Sequence, residues 1–178
     1  MPRQKSITVY KFDELSEDAK EKAIWELSGI NVDHDWHEHI YDGAKEIGLI
    51  ITEFDVYRNT INGHIRLNVP EVCKLIRKHH DKESETYKTA VGHLNQYIEE
   101  FKKYRDKYRN EFDNPVHALE GFEDEDEAED ILCDFEKTLL EEYLIILRKE
   151  YEYLTSDEAI IESIEANEYE FNENGCLA

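Results

Sequence analysis

EDEDEAEDILCDFEKTLLEEYLIILRKEYEYL, residues 123–154, carries the two features on which the reading of this chain turns. Its apolar residues Ala128, Leu132, Phe135, Leu139, Tyr143, Ile146 and Leu147 return every three or four positions, which predicts one long helix with a buried stripe. Its opening turns hold Glu123, Asp124, Glu125, Asp126, Glu127, Glu129 and Asp130. Carboxylates suit the positive end of a helix, but these are more than capping requires.

A helix this long needs a partner. Tyr87, Ala90, Val91, Leu94, Tyr97, Ile98, Phe101, Tyr104 and Tyr108 repeat at the same spacing and predict a second long helix. NEFDNPVHALEGF, residues 110–122, separates the two as a linker broken by Pro115 and Gly121. Each stripe is only a few heptads long, so the pair reads as an antiparallel helical hairpin and not an extended coiled coil.

Upstream, SITVYKF at 6–12 is a short β-rich run. Ser16 caps a helix over 17–28, and Trp36, Ile40, Ala44 and Ile47 predict another over 35–48. Ile50, Thr52, Phe54 and Val56 alternate, as do Ile65, Leu67 and Val69, around Asn62-Gly63. That dipeptide predicts the turn of an antiparallel hairpin, which the first strand then joins. Pro70 opens a short helix, Ser156 caps a last one, and Tyr169 and Phe171 alternate as in an edge strand. The expected class is helix-rich α+β, a small antiparallel sheet with a long antiparallel helical hairpin. The 178 residues suit a single domain: sheet and two helices over 1–69, the hairpin over 70–155, a short helix and terminal strand over 156–178.

The net charge of −22 is uneven. Residues 1–63 carry 7 Lys/Arg against 13 Asp/Glu, residues 64–109 carry 11 against 7, and residues 110–178 carry 3 against 23. So acidic a last third repels nucleic acid and anionic membrane and suits a basic protein or nucleoprotein partner. Solubility is the plainer reading of the same charge. Cys73, Cys133 and Cys176 make neither a disulfide framework nor a zinc knuckle. With no apolar leader and no run near the roughly 20 apolar residues of a membrane span, a cytoplasmic protein is expected.

NVDHDWHEH, residues 31–39, looks most like chemistry. At about 100° per residue, His34 lies about 60° from His37 but His39 about 160° from it, so a regular helix cannot aim all three at one ion. Asp33 with His37, or Asp35 with His39, remain as pairs lacking a third ligand, to be found at His64, His79, His80 or His93. The alternative needs no metal: Asp33 or Asp35 caps the helix, Glu38 completes a capping box, and Trp36 turns inward. The run from Glu123 to Asp130 fails as a calcium loop, because the position that requires glycine is Glu129. No nucleophile elbow, phosphate loop or dinucleotide fingerprint is present, so no catalytic residue, metal ligand or cofactor is assigned.

YKFDELSEDAKEKAI at 10–24, the pattern DxxWxxxIYxxAKEIGL from Asp33 to Leu49, and EYEYLTSDEAIIESIEANEYEFNENG at 150–175 together resemble a family of small phage and prophage accessory proteins, often labelled antitoxin-like. Members often carry a stretch of the form FSGFxSQGDGA where this chain has YRNTINGHI, so any role seated there does not transfer, and the resemblance supplies no catalytic residues. What it implies is context: small acidic phage proteins of this kind inhibit bacterial defence, anti-CRISPR proteins among them. The expectation is therefore a non-enzymatic phage-derived inhibitor, acting in the host cytoplasm, whose face at Glu123–Glu127, Glu129 and Asp130 docks on the nucleic-acid-binding groove of a defence complex. An antitoxin neutralising a basic toxin and a metal-dependent nuclease or hydrolase are the alternatives. A monomer is expected if the sheet covers the surplus apolar surface of YLIILRKEYEYL, and a homodimer if it does not.

Overall fold

Short polar side chains start the helices. Ser16, Asn68, Ser84, Asn114 and Ser156 are extended residues whose side-chain oxygens accept from the N–H groups of Ala19, Glu71, Tyr87, Val116 and Ala159. In this computed structural model, which describes residues 8–109, 111 and 114–178, the order is α1 (Glu17–Glu26), α2 (Glu38–Glu46), β1 (Leu49–Asp55), β2 (Thr60–Ile65), α3 (Val69–His79), α4 (Glu85–Lys107), α5 (Pro115–Glu123), α6 (Asp126–Leu154) and α7 (Asp157–Ala166). The protein is helix-rich α+β with a two-stranded antiparallel sheet. It divides into two compact units, Met1–His37 with Arg148–Ala178, and Glu38–Leu147.

In the Glu38–Leu147 unit, α4 and α6 run antiparallel. Thr89 donates to Glu142 at 2.5 Å, and one turn further along α4 His93 stacks on Phe135, with ring centroids 4.7 Å apart. The His93 ring nitrogens lie 3.0 Å from the Thr89 carbonyl and 3.2 Å from the Asp134 carboxylate, so this ring is part of the hairpin seam. The buried stripe of α6 is Ala128, Ile131, Phe135, Leu139, Leu140, Tyr143, Leu144 and Leu147. Ile146, expected in it, is exposed.

The stretch 110–122 is more than a linker. Pro115, expected with Gly121 to mark a helix-breaking linker, instead begins α5 behind the Asn114 cap, since proline is at home in a first turn. Gly121 sits inside it at a cost of about 1 kcal/mol relative to Ala. Its neighbour Phe122 offsets that cost, being 1% exposed with centroids 5.1, 5.7 and 5.6 Å from those of Tyr97, Phe101 and Tyr104.

The hairpin does not turn at Asn62-Gly63. The strands reverse over 56–59, where the Asp55 carboxylate accepts the N–H groups of Tyr57 and Arg58 and Asn59 takes a positive φ of 57°. Asn62 and Gly63 lie within β2, opposite Glu53 and Ile51. Thr52 is the extra residue of a bulge, and its consequence is the face. Leu49, Ile51 and Phe54 stand opposite Ile65, Gly63 and Ile61, whereas strict alternation would have put Phe54 with Ile50. Leu49 and Ile51 are buried, and Phe54 meets Tyr41 of α2 edge-on. Gly63 is there for space: a Cβ would fall 2.4 Å from the Ile50 carbonyl oxygen and 2.8 Å from Leu140 Cδ2. The sheet therefore lies on α6, and the Ile65 N–H donates to Glu136 at 2.7 Å.

In the other unit, Phe12, Leu15, Ala19, Ala23, Ile160, Ile164 and Phe171 form one core. The stretches 10–24 and 150–175 thus fold onto each other. Tyr10 bridges to Phe171, and Phe171 to Leu177, as isolated antiparallel pairs. Of the expected strand 6–12, the described residues 8–12 do not join the hairpin, Phe12 entering a 3-10 turn, and Ser6 and Ile7 lie outside the described residues. Asn31 ties the α6–α7 corner, donating to the carbonyls of Leu154 and Ala159 and accepting from Ser163.

The two readings of Asn62-Gly63 separate in mutants. Gly63→Ala is expected to cost about 1–3 kcal/mol by overpacking, while Asn62→Ala, on the exposed face, stays within about 0.5 kcal/mol. Urea unfolding measures both, and a larger loss at Asn62 would restore the turn to that dipeptide.

Candidate functional site

The seven acidic residues expected to meet a partner share one corner. Glu123 ends α5, Asp124 and Glu125 make the bend, and Asp126, Glu127, Glu129 and Asp130 occupy the first turns of α6. They are not equivalent. Glu123 is tied in, accepting from the Asn68 side chain at 2.9 Å and facing the Tyr97 hydroxyl at 3.5 Å. Glu125 is half-buried, and its charge is felt by Tyr104 and Lys107. Glu127 also faces Lys107. Asp124, Asp126, Glu129 and Asp130 are exposed and have no hydrogen-bonded or ion-pair partner for their carboxylates among the described residues.

The corner borders a groove of about 490 Å³. Leu67, Val69, Ala128 and Leu132 line it with apolar surface, and Asp124, Glu125 and Glu129 bring carboxylates. The sequence shows the acids but not this groove. Its other wall is the turn from β2 to α3, about 60 residues away along the chain, and no local pattern couples the two. Asn68 couples them, capping α3 with its carbonyl oxygen and holding Glu123 with its amide.

In the histidine stretch Trp36 and His37 make ring contacts, while His34 and His39 face outward. α2 begins at Glu38, three residues later than expected, so Asp33 and Asp35 lie in the preceding turns and not at its N-cap. Trp36 is half-buried, with its ring 5.8 Å from that of Tyr151 and edge-on to His37 at 5.7 Å. His34 and His39 are exposed. Among the described residues no three His, Cys, Asp or Glu side chains gather in a metal-holding arrangement. No helix among them is long and apolar enough to cross a membrane.

Burial under the corner leaves a titration signature. Desolvation, with the charge and hydrogen bond of Glu123 adding to it, pushes the Tyr97 phenol up to about 12. Desolvation, with Glu142 and Glu46 adding, does the same to Tyr143. A phenol whose folded pKa exceeds its unfolded value of about 10 contributes stability below pH 10 that is lost as the pH rises toward 12. Unfolding free energy should fall between pH 10 and 12, and less steeply in Tyr97→Phe. Equal slopes would show that Tyr97 does not titrate late.

Comparison of the chain with family models, with curated proteins and with solved structures finds no match.

Proposed function

We propose that this is a non-enzymatic binding protein of phage origin that inhibits a host defence nucleoprotein complex, in the manner of an anti-CRISPR protein, by setting its acidic corner into a nucleic-acid-binding groove. The observation that carries this reading is the set Asp124, Asp126, Glu129 and Asp130, four exposed carboxylates within seven residues that pair with nothing among the described residues. Leaving like charges adjacent costs free energy that a basic partner would recover. Their mounting on a helix end and a short bend holds their spacing, as a charge-matching surface requires. The phage origin and the class of target rest on the resemblance of residues 10–24, 33–49 and 150–175.

The protein acts as a monomer in this reading. β2 covers α6 at Leu140, and Tyr143, Leu144 and Leu147 are buried within the chain. Ile145, Ile146 and Tyr153 of that stretch stay exposed, so the cover is partial, and the monomer rests also on the like charges that a two-fold axis would bring together.

Bacteria carrying an active CRISPR system and expressing the chain should plate a targeted phage with restored efficiency. The variant with Asp124→Asn, Asp126→Asn, Glu129→Gln and Asp130→Asn should not restore it. With the purified effector–guide complex, wild-type binding should weaken about tenfold or more between 50 and 200 mM salt, and the variant should bind weakly at both. Unchanged plating across a panel of CRISPR types sinks the anti-CRISPR reading, and equal affinity of variant and wild type sinks the acidic corner.

A further inference from the structure

The groove of about 490 Å³ beside the acidic corner is shaped before anything enters it. Val69 and Ala128, 1% and 6% exposed, floor it, and half-buried Leu67 and Leu132 stand on its two walls. The backbone seats Leu67. Gly48, at φ +85°, lies so close that a Cβ there would be 2.7 Å from Leu67 Cδ1, and the Gly48 carbonyl accepts from the Arg66 N–H at 3.1 Å. Leu132 is carried by α6, and the Asn68 amide, donating to Glu123 at 2.9 Å, ties the one wall to the corner beside the other. A ligand therefore meets apolar surface that is already in place, and little of the protein has to be ordered to bind it.

The rim is charged and uneven. Glu123 is satisfied by Asn68 and Tyr97, but Asp124 and Glu129 are exposed with carboxylates that pair with nothing among the described residues, and Glu125 stands beside them. Arg66 also lines the groove, exposed, and its guanidinium makes no ion pair with these acids. Three chemistries can be set against this surface. Phosphate is repelled by the carboxylates. A wholly apolar ligand would strip water from those carboxylates and give them nothing in return. A cation on an aliphatic stem beside an apolar neighbour satisfies both, with stem and neighbour on the floor and the head on the rim.

We propose that this groove takes a basic amphipathic segment of a protein partner, an aliphatic side chain lying on Val69 and Ala128 between Leu67 and Leu132, with arginine or lysine beside it on Asp124, Glu125 and Glu129. The inference rests on the reading of the corner as a docking face and specifies what docks there. A surface that only matched the charge of phosphates would need the carboxylates alone. Here the partner also reaches into this chain, so apolar contact selects among basic surfaces that charge by itself would not tell apart.

Two end-capped, dye-labelled hexapeptides of equal charge, one alternating arginine with leucine and the other arginine with serine, are titrated with the full chain and read by fluorescence anisotropy. The leucine peptide should bind about tenfold more tightly or better, and in methyl NMR it should shift the signals of Leu67, Val69 and Leu132. Leu132→Ser should weaken it about tenfold, while Leu132→Met keeps most of the affinity. Asp124→Asn with Glu129→Gln should weaken both peptides about tenfold, and Arg66→Ala should tighten both about threefold. Opposite signs at Arg66 and at the acids are the mark of charge, since damage to the groove would move both variants the same way. Equal affinity for the two peptides, both lost with the acids, overturns the groove and leaves the acidic corner standing. Binding of the leucine peptide that ignores the acids overturns both. Binding of neither peptide also overturns the groove, and the corner is then judged by the effector–guide complex alone.

Discussion

The Glu38–Leu147 unit depends on one constraint: α6 must bury several of its faces at once. Phe135 goes under His93 of α4, Leu140 under Gly63 of β2, and Leu139, Tyr143 and Leu147 are buried along the same helix. Each such large side chain contributes about 1.5–3 kcal/mol when fully buried. A helix packed on more than one side admits backbone closer than a side chain would allow. Gly63 is the point where that happens, and the bulge at Thr52 is what keeps Phe54 in register with it.

Much of this was legible and some was not, for identifiable reasons. Helical spacing, with Ser16, Ser156 and Pro70 where a start was marked, predicted α1, α3, α4, α6 and α7, because a cap and a stripe are local signals. Asn62-Gly63 misled because a glycine needed for close approach reads the same as one needed for a turn. The Asp55 and Asn59 pair was the turn signal that competed with it. Pro115 misled likewise, since proline starts helices as well as stopping them. The strand at Tyr10 was assigned the wrong partner because its real one, Phe171, is 161 positions away. The corner acids were legible as charge, but their division was not. Glu123 is held by Asn68 and Tyr97, and Glu125 and Glu127 face Lys107, contacts that only the fold creates.

That division separates two roles within one acidic run. The α4 stretch expected from its tyrosines and cations places Tyr97 and Tyr104 around Phe122 and turns Lys103 and Lys107 toward the same small depression as Glu125 and Glu127. The basic end of α4 thus meets the acidic start of α6, complementing both helix dipoles. The remaining acids, Asp124, Asp126, Glu129 and Asp130, lie outside this internal balance and carry the proposed docking face.

The central claim is that those four carboxylates serve something other than the fold. The most direct measurement is the melting temperature, across a salt series, of the chain with Asp124→Asn, Asp126→Asn, Glu129→Gln and Asp130→Asn. If the acids are surplus to the fold, relief of self-repulsion matches or exceeds the lost helix-dipole interaction. The variant then melts at or above the wild type at low salt, and its melting temperature rises less with added salt. A low-salt loss of more than about 4 °C, which for a chain of this size is 1 kcal/mol or more, would mean that the acids hold α6 in place and would contradict the account.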